Sequence, residues 1–148
     1  MLSARLVHLI ETHADRLSHD VLQRLQRDPR CAADMTRLPQ EELAARSYEI
    51  YRNLSDWLLG SRIYELERLY TDLGEHRASQ GVPLSSLLYA ITITKDQLWR
   101  FLEAEGLVTQ PFELFGEIEL LRMLDQFFDR ALYHAALGYE HAQRPVAA

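Results

Sequence analysis

Residues 73–84 read LGEHRASQGVPL, and this stretch decides how the chain divides into helices. The apolar residues before it recur at helical spacing, so the helix that contains Leu73 is expected to continue to about residue 79. Gly81 suits the left-handed backbone conformation that commonly follows a helix end. Pro83 has a fixed φ angle and no N–H group, which suits the start of a new helix. We therefore predict a rigid corner between two helices.

Arg77 lies on the apolar side of the helix that precedes this corner. A guanidinium without partners is costly to bury, and its five N–H donors need acceptors. We expect these acceptors to be carbonyl groups at a helix end or a carboxylate. The favoured interpretation is a structural role, and the alternative is a ligand contact. The residues of this structural motif are Leu73, Gly74, Arg77, Gln80, Gly81 and Pro83.

Helical spacing extends outward from the corner in both directions. We predict five helices, at about residues 2–27, 39–60, 61–79, 84–105 and 112–142, with a loop over 30–38. Their ends are marked by Pro29, Pro39, Gly60, Gly81, Gly106 and Pro111. The β-branched residues 91–94 lie inside a helical window, so we predict a helix there. The sequence therefore predicts an all-α fold of five to six helices, globin-like or a helical bundle, with a long C-terminal helix. Residues 1–143 would form the single domain and residues 144–148 a frayed tail.

Composition and charge exclude several classes of protein. The 148 residues include 16 Lys+Arg and 22 Asp+Glu, a net charge of −6, which argues against a duplex nucleic-acid binder and against attachment to anionic lipid by charge. No stretch approaches 18 apolar residues, so no membrane span is expected. Cys31 is the only cysteine, which excludes an intramolecular disulfide and a CxxC motif. We expect a protein of the reducing cytoplasm.

The sequence contains no catalytic signature. A phosphate-binding loop, GxGxxG, HExxH and GxSxG are all absent. Carboxylate pairs such as Glu41 and Glu42 fall on predicted polar faces, where a solvated surface explains them. We therefore predict no catalytic residue and do not expect an enzyme.

The histidines are the candidate ligands for a haem or metal cofactor. His13 falls within the apolar stripe of the first helix, so it is either a hydrogen-bonded core histidine or a haem or metal ligand. His76 and His134 lie at the edges of the inner faces of their helices. The first helix also carries residues at metal-ligand spacing, which surface charge patterning explains equally well: His8, Glu11, Asp15 and His19. No cofactor is predicted, and haem held by His13, His76 or His134 is the alternative.

Lys95 is the only lysine, and it falls in the middle of an apolar helical stripe. Asp125 falls beside the stripe of the last helix. A lone buried charge is costly, so we expect the two charged groups to lie within about 6 Å of each other. The alternative is that Lys95 extends its stem and reaches solvent. As a pair inside the core they would set the helix register or line a ligand pocket, whose candidate residues are Lys95, Asp125, Trp99 and Tyr70.

The last helix is apolar over much of its circumference. One neighbour cannot cover so many apolar side chains, so the helix is either central in the fold or shared between the core and a dimer interface. Homodimers are the commonest oligomers, and we predict one. Its interface residues are predicted to be Phe127, Phe128, Ala131 and Tyr139.

The segment 73–84 resembles the centre of the RsbRD-type N-terminal domain family (RsbT co-antagonist-like), which reads L-G-x-x-R-A-x-Q-G-[VI]-P-L. Further matches lie at residues 87–90, at Leu98-Trp99, and in the last helix at 128–133 and 138–140. The resemblance is good over about residues 60–140 and weak over 1–40.

This resemblance implies a function in bacterial stress or sensory signalling. Members of the family lie at the front of signalling proteins, so it implies a non-catalytic sensor domain. Its partner would be a downstream signalling protein, or an output domain fused to longer relatives. Two alternatives stay open: a haem- or metal-binding sensor, and a structural dimerisation or scaffold domain.

Overall fold

A computed structural model describes residues 3–59, 62–105 and 111–143, and over these ranges it contains helices and no strand. The helices in chain order are α1 (Ala4–Thr12), α2 (Ala14–Arg27), α3 (Ala32–Met35), α4 (Gln40–Arg52), α5 (Leu54–Leu59), α6 (Ile63–Ser79), α7 (Leu84–Glu105) and α8 (Pro111–Gln143). The all-α prediction and the long C-terminal helix are confirmed. The predicted number of five to six helices is too low. The helix ends expected at Gly60 and Gly106, and the tail 144–148, lie outside the described residues.

Two of the predicted helices are each interrupted at one polar residue. At His13 the backbone leaves helical geometry (φ −102°, ψ 20°), and ring Nδ1 donates to the carbonyl of Leu9 at 2.9 Å. At Asn53 (φ −111°, ψ 27°) the side-chain amide donates to the carbonyl of Glu49 at 3.0 Å. In both cases the side chain bonds to a carbonyl that the helical ladder also uses. This competition separates α1 from α2 and α4 from α5.

The β-branched segment of α7 is helical, as predicted. Ile91 and Ile93 are buried in the core. The hydroxyls of Thr92 and Thr94 each donate to the carbonyl four residues earlier, at 3.0 Å. Tertiary packing and these local bonds outweigh the weak preference of such residues for strands.

The core is built on the contact between α6 and α8, which is the most extensive helix contact in the described part of the chain. A Cβ atom on Gly74 of α6 would lie 2.0 Å from the carbonyl oxygen of Ala135, and one on Gly138 of α8 would lie 2.0 Å from that of Thr71. Neither distance is compatible with a side chain. The two helices therefore touch backbone to backbone, and only glycine fits at either position.

The predicted dimer interface is wrong. Phe127, Phe128, Ala131 and Tyr139 are between 1% and 7% exposed within the single chain, because α8 is central in the fold and its neighbours cover these residues. Among the residues of α8 whose burial the structure describes, the exposed large apolar side chains are instead Leu114, Phe115, Ile118 and Tyr133. Within the described residues, no helix combines the length and the hydropathy needed to cross a membrane.

Candidate functional site

The corner between α6 and α7 has the predicted geometry. Gly81 has a φ angle of 73°, and a larger residue would be strained there. The N–H of Val82 donates to the carbonyl of Arg77, and the N–H of Gly81 to that of Ala78, both at 3.1 Å. These two bonds form a Schellman motif, which satisfies carbonyls at the end of α6.

Arg77 has the carboxylate partner expected from the sequence. Its side chain is 2% exposed, and Nη2 donates to both carboxylate oxygens of Glu42 at 3.0 Å. Nη1 donates to Oε1 of Gln80 at 2.8 Å. Arg77 therefore ties α4 to the end of α6 and to the corner.

Glu42 was expected to be a solvated surface residue, and that expectation is wrong. It is only 29% exposed and is held by Arg46 as well as by Arg77. Burial raises the pKa of the Glu42 carboxyl, but the hydrogen bonds and charges of the two arginines outweigh burial and lower the pKa below its ordinary value. Glu42 is therefore ionised at neutral pH.

Tyr139 links the same corner to the terminal helix. Its hydroxyl is buried and donates to the carbonyl of Val82 at 2.6 Å. Tyr139 also directly follows Gly138, where α8 meets the backbone of α6. The corner and α8 are thus joined by a hydrogen bond and by the close helix contact.

Two neighbouring cavities are lined by α6 and α4 and by no described residue of α8. The inner cavity, of about 70 Å³, lies among α2, α4, α6 and α7 and is largely apolar. The outer cavity, which we call the α4–α6 groove, has a volume of about 470 Å³ and is open to solvent. The two share part of their walls, namely Arg46, Ile50, Tyr70 and Leu73.

Tyr70 stands out among the buried tyrosines. The hydroxyl of Tyr51 donates to the carbonyl of Thr94 at 2.6 Å, and that of Tyr139 has the bond described above. Tyr70 is 6% exposed, and among the described residues its hydroxyl has no hydrogen-bond partner. Burial raises the pKa of Tyr70 above its ordinary value, so the hydroxyl keeps its proton and remains a donor.

The predicted pairing of Lys95 with Asp125 is confirmed, with Nζ 3.0 Å from Oδ1. The expectation that this contact lies inside the core is wrong, because the side chains are 31% and 50% exposed. Of the four candidate pocket residues, only Tyr70 lines the two cavities described above. Trp99 has a buried Nε1 without a hydrogen-bond partner in the described structure.

The three candidate histidine ligands lie apart from both cavities. His13 is engaged with Leu9, and its ring lies 5.5 Å from that of Phe101. His76 is exposed, and Nε2 of His134 lies 3.6 Å from Oε1 of Glu67. The described residues contain no group of three or more histidine, cysteine, aspartate or glutamate side chains that could hold a metal ion. Haem binding stays a prediction.

Sequence reasoning missed Glu42, Gly138 and the α4–α6 groove. Gly138 carried one signal, since a glycine inside a helix lowers its stability and commonly has a packing reason. Glu42 carried none, because its role depends on a residue 35 positions away.

The described residues form an all-α domain with a rigid corner between α6 and α7, and comparison with known families assigns it to a class. Residues 15–148 match the RsbT co-antagonist protein rsbRD N-terminal domain, so the chain belongs to this family of stress-signalling regulatory domains. The match includes α2 to α5, where the sequence motifs gave little indication. No curated protein and no solved structure matches the chain.

Proposed function

We propose that the protein is a non-catalytic input domain for stress signalling in the cytoplasm. In this proposal, a ligand or partner changes the packing of α6 and α7, and α8 passes the change to a downstream signalling protein. Such a signal requires that the ligand or partner bind one packing arrangement more tightly than the other.

The observation that carries the proposal is the contact between α6 and α8 at Gly74 and Gly138. Backbone atoms meet there without an intervening layer of side chains, so a displacement of α6 cannot be absorbed by changes of rotamer. The bond from Tyr139 to Val82 lies beside it. Small shifts of packed helices are a known way of transmitting a signal.

The test is a variant of the gene in its own cells, with stress-induced transcription as the readout. Tyr139→Phe removes the bond to Val82 and retains the ring, so we expect a folded protein with an altered response to stress. Tyr133→Phe on the same helix is the matched control, because Tyr133 is 62% exposed. An unchanged stress response after deletion of the whole gene would refute the proposal.

We further propose that the protein acts as a homodimer. Support comes from three exposed apolar side chains, Leu114, Phe115 and Ile118, which share one side of α8 by their spacing. Sedimentation velocity should give the mass of a dimer, and Phe115→Asp should give a monomer while Tyr133→Asp does not. A monomeric wild-type protein at high micromolar concentration would contradict this.

A further inference from the structure

The α4–α6 groove has the dimensions of a ligand site. Its volume of about 470 Å³ falls in the range of about 300–1,000 Å³ that is typical of small-molecule pockets. Its wall includes the side chains of Ile50, Trp57, Leu69 and Leu73. Such a surface accommodates an aromatic or alicyclic body.

Tyr70 provides a polar group in this apolar wall. It lines both the groove and the inner cavity. Tyr70 is 6% exposed, and its hydroxyl has no hydrogen-bond partner in the described part of the chain. The hydroxyl oxygen is not fully enclosed, because Trp99 Nε1 is the one fully buried side-chain nitrogen or oxygen without a partner among the described residues. A ligand atom that accepts its hydrogen bond would take the place of water there.

The charges around the groove do not favour an ion. Seven charged residues line the groove, namely the arginines Arg46, Arg62 and Arg68 and the carboxylates Glu42, Glu49, Glu65 and Asp72. Two of these arginines are already paired, Arg46 with Glu42 and Arg62 with Glu65. The guanidinium of Arg62 also lies 4.3 Å from the centre of the Trp57 ring. With three arginines against four carboxylates, the wall has no excess of positive charge that would attract an anion.

We propose that the groove binds an uncharged small molecule with an aromatic or alicyclic body and an oxygen or nitrogen acceptor for the Tyr70 hydroxyl. This inference rests on the proposed function, because it supplies the ligand of the input domain. Glu42 connects the site to the output, since it lines the groove and its carboxylate holds Arg77 at the corner. A ligand that moves α4 relative to α6 would therefore act on the corner.

Three compounds with the same ring system test the chemistry: 2-acetylnaphthalene, 2-ethylnaphthalene and 2-naphthoate. The first has a neutral acceptor, the second has none, and the third is an anion. Titration of the full chain, followed by ¹H–¹⁵N NMR, should show 2-acetylnaphthalene shifting the resonances of the groove. Tyr70→Phe should weaken its binding about 3- to 10-fold, the equivalent of one neutral hydrogen bond. The same substitution should leave 2-ethylnaphthalene binding unchanged.

A second variant tests the place of binding. Ala45 is an exposed residue of α4 that lines the groove, so Ala45→Trp should fill the groove and abolish binding. Ala104→Trp is the matched control, because Ala104 is exposed on α7. Circular dichroism checks that both variants fold, and Tyr70→Phe provides an independent test should Ala45→Trp unfold.

Three outcomes would overturn the proposal. They are the absence of groove shifts with 2-acetylnaphthalene at its solubility limit, binding that both Tyr70→Phe and Ala45→Trp leave unchanged, and binding of 2-naphthoate as tight as that of the ketone. The proposed function fails separately: if Ala45→Trp abolishes binding but leaves the stress response of the cells unchanged, the site stands and its role in signalling does not.

Discussion

The two sides of α6 differ in how tightly they are packed. Toward α8, backbone meets backbone at Gly74 and Gly138, and the nearby Tyr139 hydroxyl is hydrogen-bonded. Toward α4, the same helix lines a groove of about 470 Å³ and carries Tyr70 without a hydrogen-bond partner among the described residues. Close-packed interfaces transmit displacement, whereas free volume permits it.

This difference indicates which helices move together. A shift of α6 away from α8 would break contacts that nothing replaces, but a shift relative to α4 has space available. We therefore expect α6 and α8 to respond as one unit, with α4 as the element against which they move. The carboxylate of Glu42 is held by Arg77 and so ties α4 to the end of α6.

The largest expected effect comes from a side chain placed in the close contact between α6 and α8. Gly138→Ala would place a Cβ atom 2.0 Å from the Thr71 carbonyl oxygen, so the helices must separate. We expect the free energy of unfolding to fall by roughly 3 kcal/mol or more, measured by urea denaturation. Alanine normally stabilises a helix relative to glycine by about 0.5–1 kcal/mol, so a neutral or stabilising result would refute the close contact.

Gly81→Ala is the matched control for this substitution. A Cβ atom at Gly81 would meet no atom within 4 Å, and only its φ angle of 73° opposes a side chain. We expect a loss of about 1–2 kcal/mol, the cost of a left-handed conformation. Equal losses at the two positions would mean that steric contact is not what distinguishes Gly138.

The next largest loss of stability is expected at the ion pair between Arg77 of α6 and Glu42 of α4. Glu42→Gln leaves the guanidinium of Arg77, which is 2% exposed, without its carboxylate. We expect a loss of about 1–3 kcal/mol, as for other hydrogen bonds to buried charged groups. Glu41→Gln, at an exposed neighbouring position, should have almost no effect. A similar loss for both variants would indicate that the pair makes no specific contribution.

The same pair makes the stability depend on pH. The pKa of Glu42 is lowered in the folded protein from an ordinary value of 4.5, so its contribution is fully present above pH 4.5. It is lost as the pH falls through the lower pKa of the folded state. The difference in unfolding free energy between wild type and Glu42→Gln should therefore shrink between pH 7 and pH 3. A difference that grows on acidification would contradict this sign.

Sequence reasoning succeeded mainly where the relevant interactions are local. The start of α7 after Pro83, the left-handed Gly81 and the need of Arg77 for a carboxylate follow from residues close together in the chain. The pairing of Lys95 with Asp125 joins two distant segments, and it followed from the apolar spacing of both helices.

It failed in two ways. The breaks at His13 and Asn53 are local, but they depend on which side chain bonds to a helical carbonyl, and helical spacing does not reveal this. The other failures depend on distant segments. The burial of Phe127 and Phe128 depends on how many neighbours surround α8. The groove is a space between helices, so no single residue of the sequence predicts it, although Tyr70 was among the predicted pocket residues.

Replacing each of three buried tyrosines with phenylalanine shows which of their hydroxyls contribute to the free energy of unfolding. Tyr139→Phe and Tyr51→Phe each remove a hydrogen bond of 2.6 Å, and each should lower the unfolding free energy by about 0.5–1.5 kcal/mol. Tyr70→Phe removes a hydroxyl that has no partner among the described residues and is not fully enclosed, so the free energy of unfolding should be almost unchanged. Urea denaturation of the three variants measures these differences. A loss at Tyr70 as large as at Tyr139 would mean that its hydroxyl is hydrogen-bonded to another protein group in solution.

The smallest effect is expected between α7 and α8, at Lys95 and Asp125. Their charged atoms are 3.0 Å apart, but both side chains are partly exposed, so solvent and salt screen the attraction. A double-mutant cycle with Lys95→Met and Asp125→Asn should give a coupling of about 0.2–1 kcal/mol, which decreases in 1 M NaCl. A coupling above about 2 kcal/mol that resists salt would show that this contact is as well enclosed as that between Arg77 and Glu42. The rigid part of the molecule would then extend from α6 and α8 to α7.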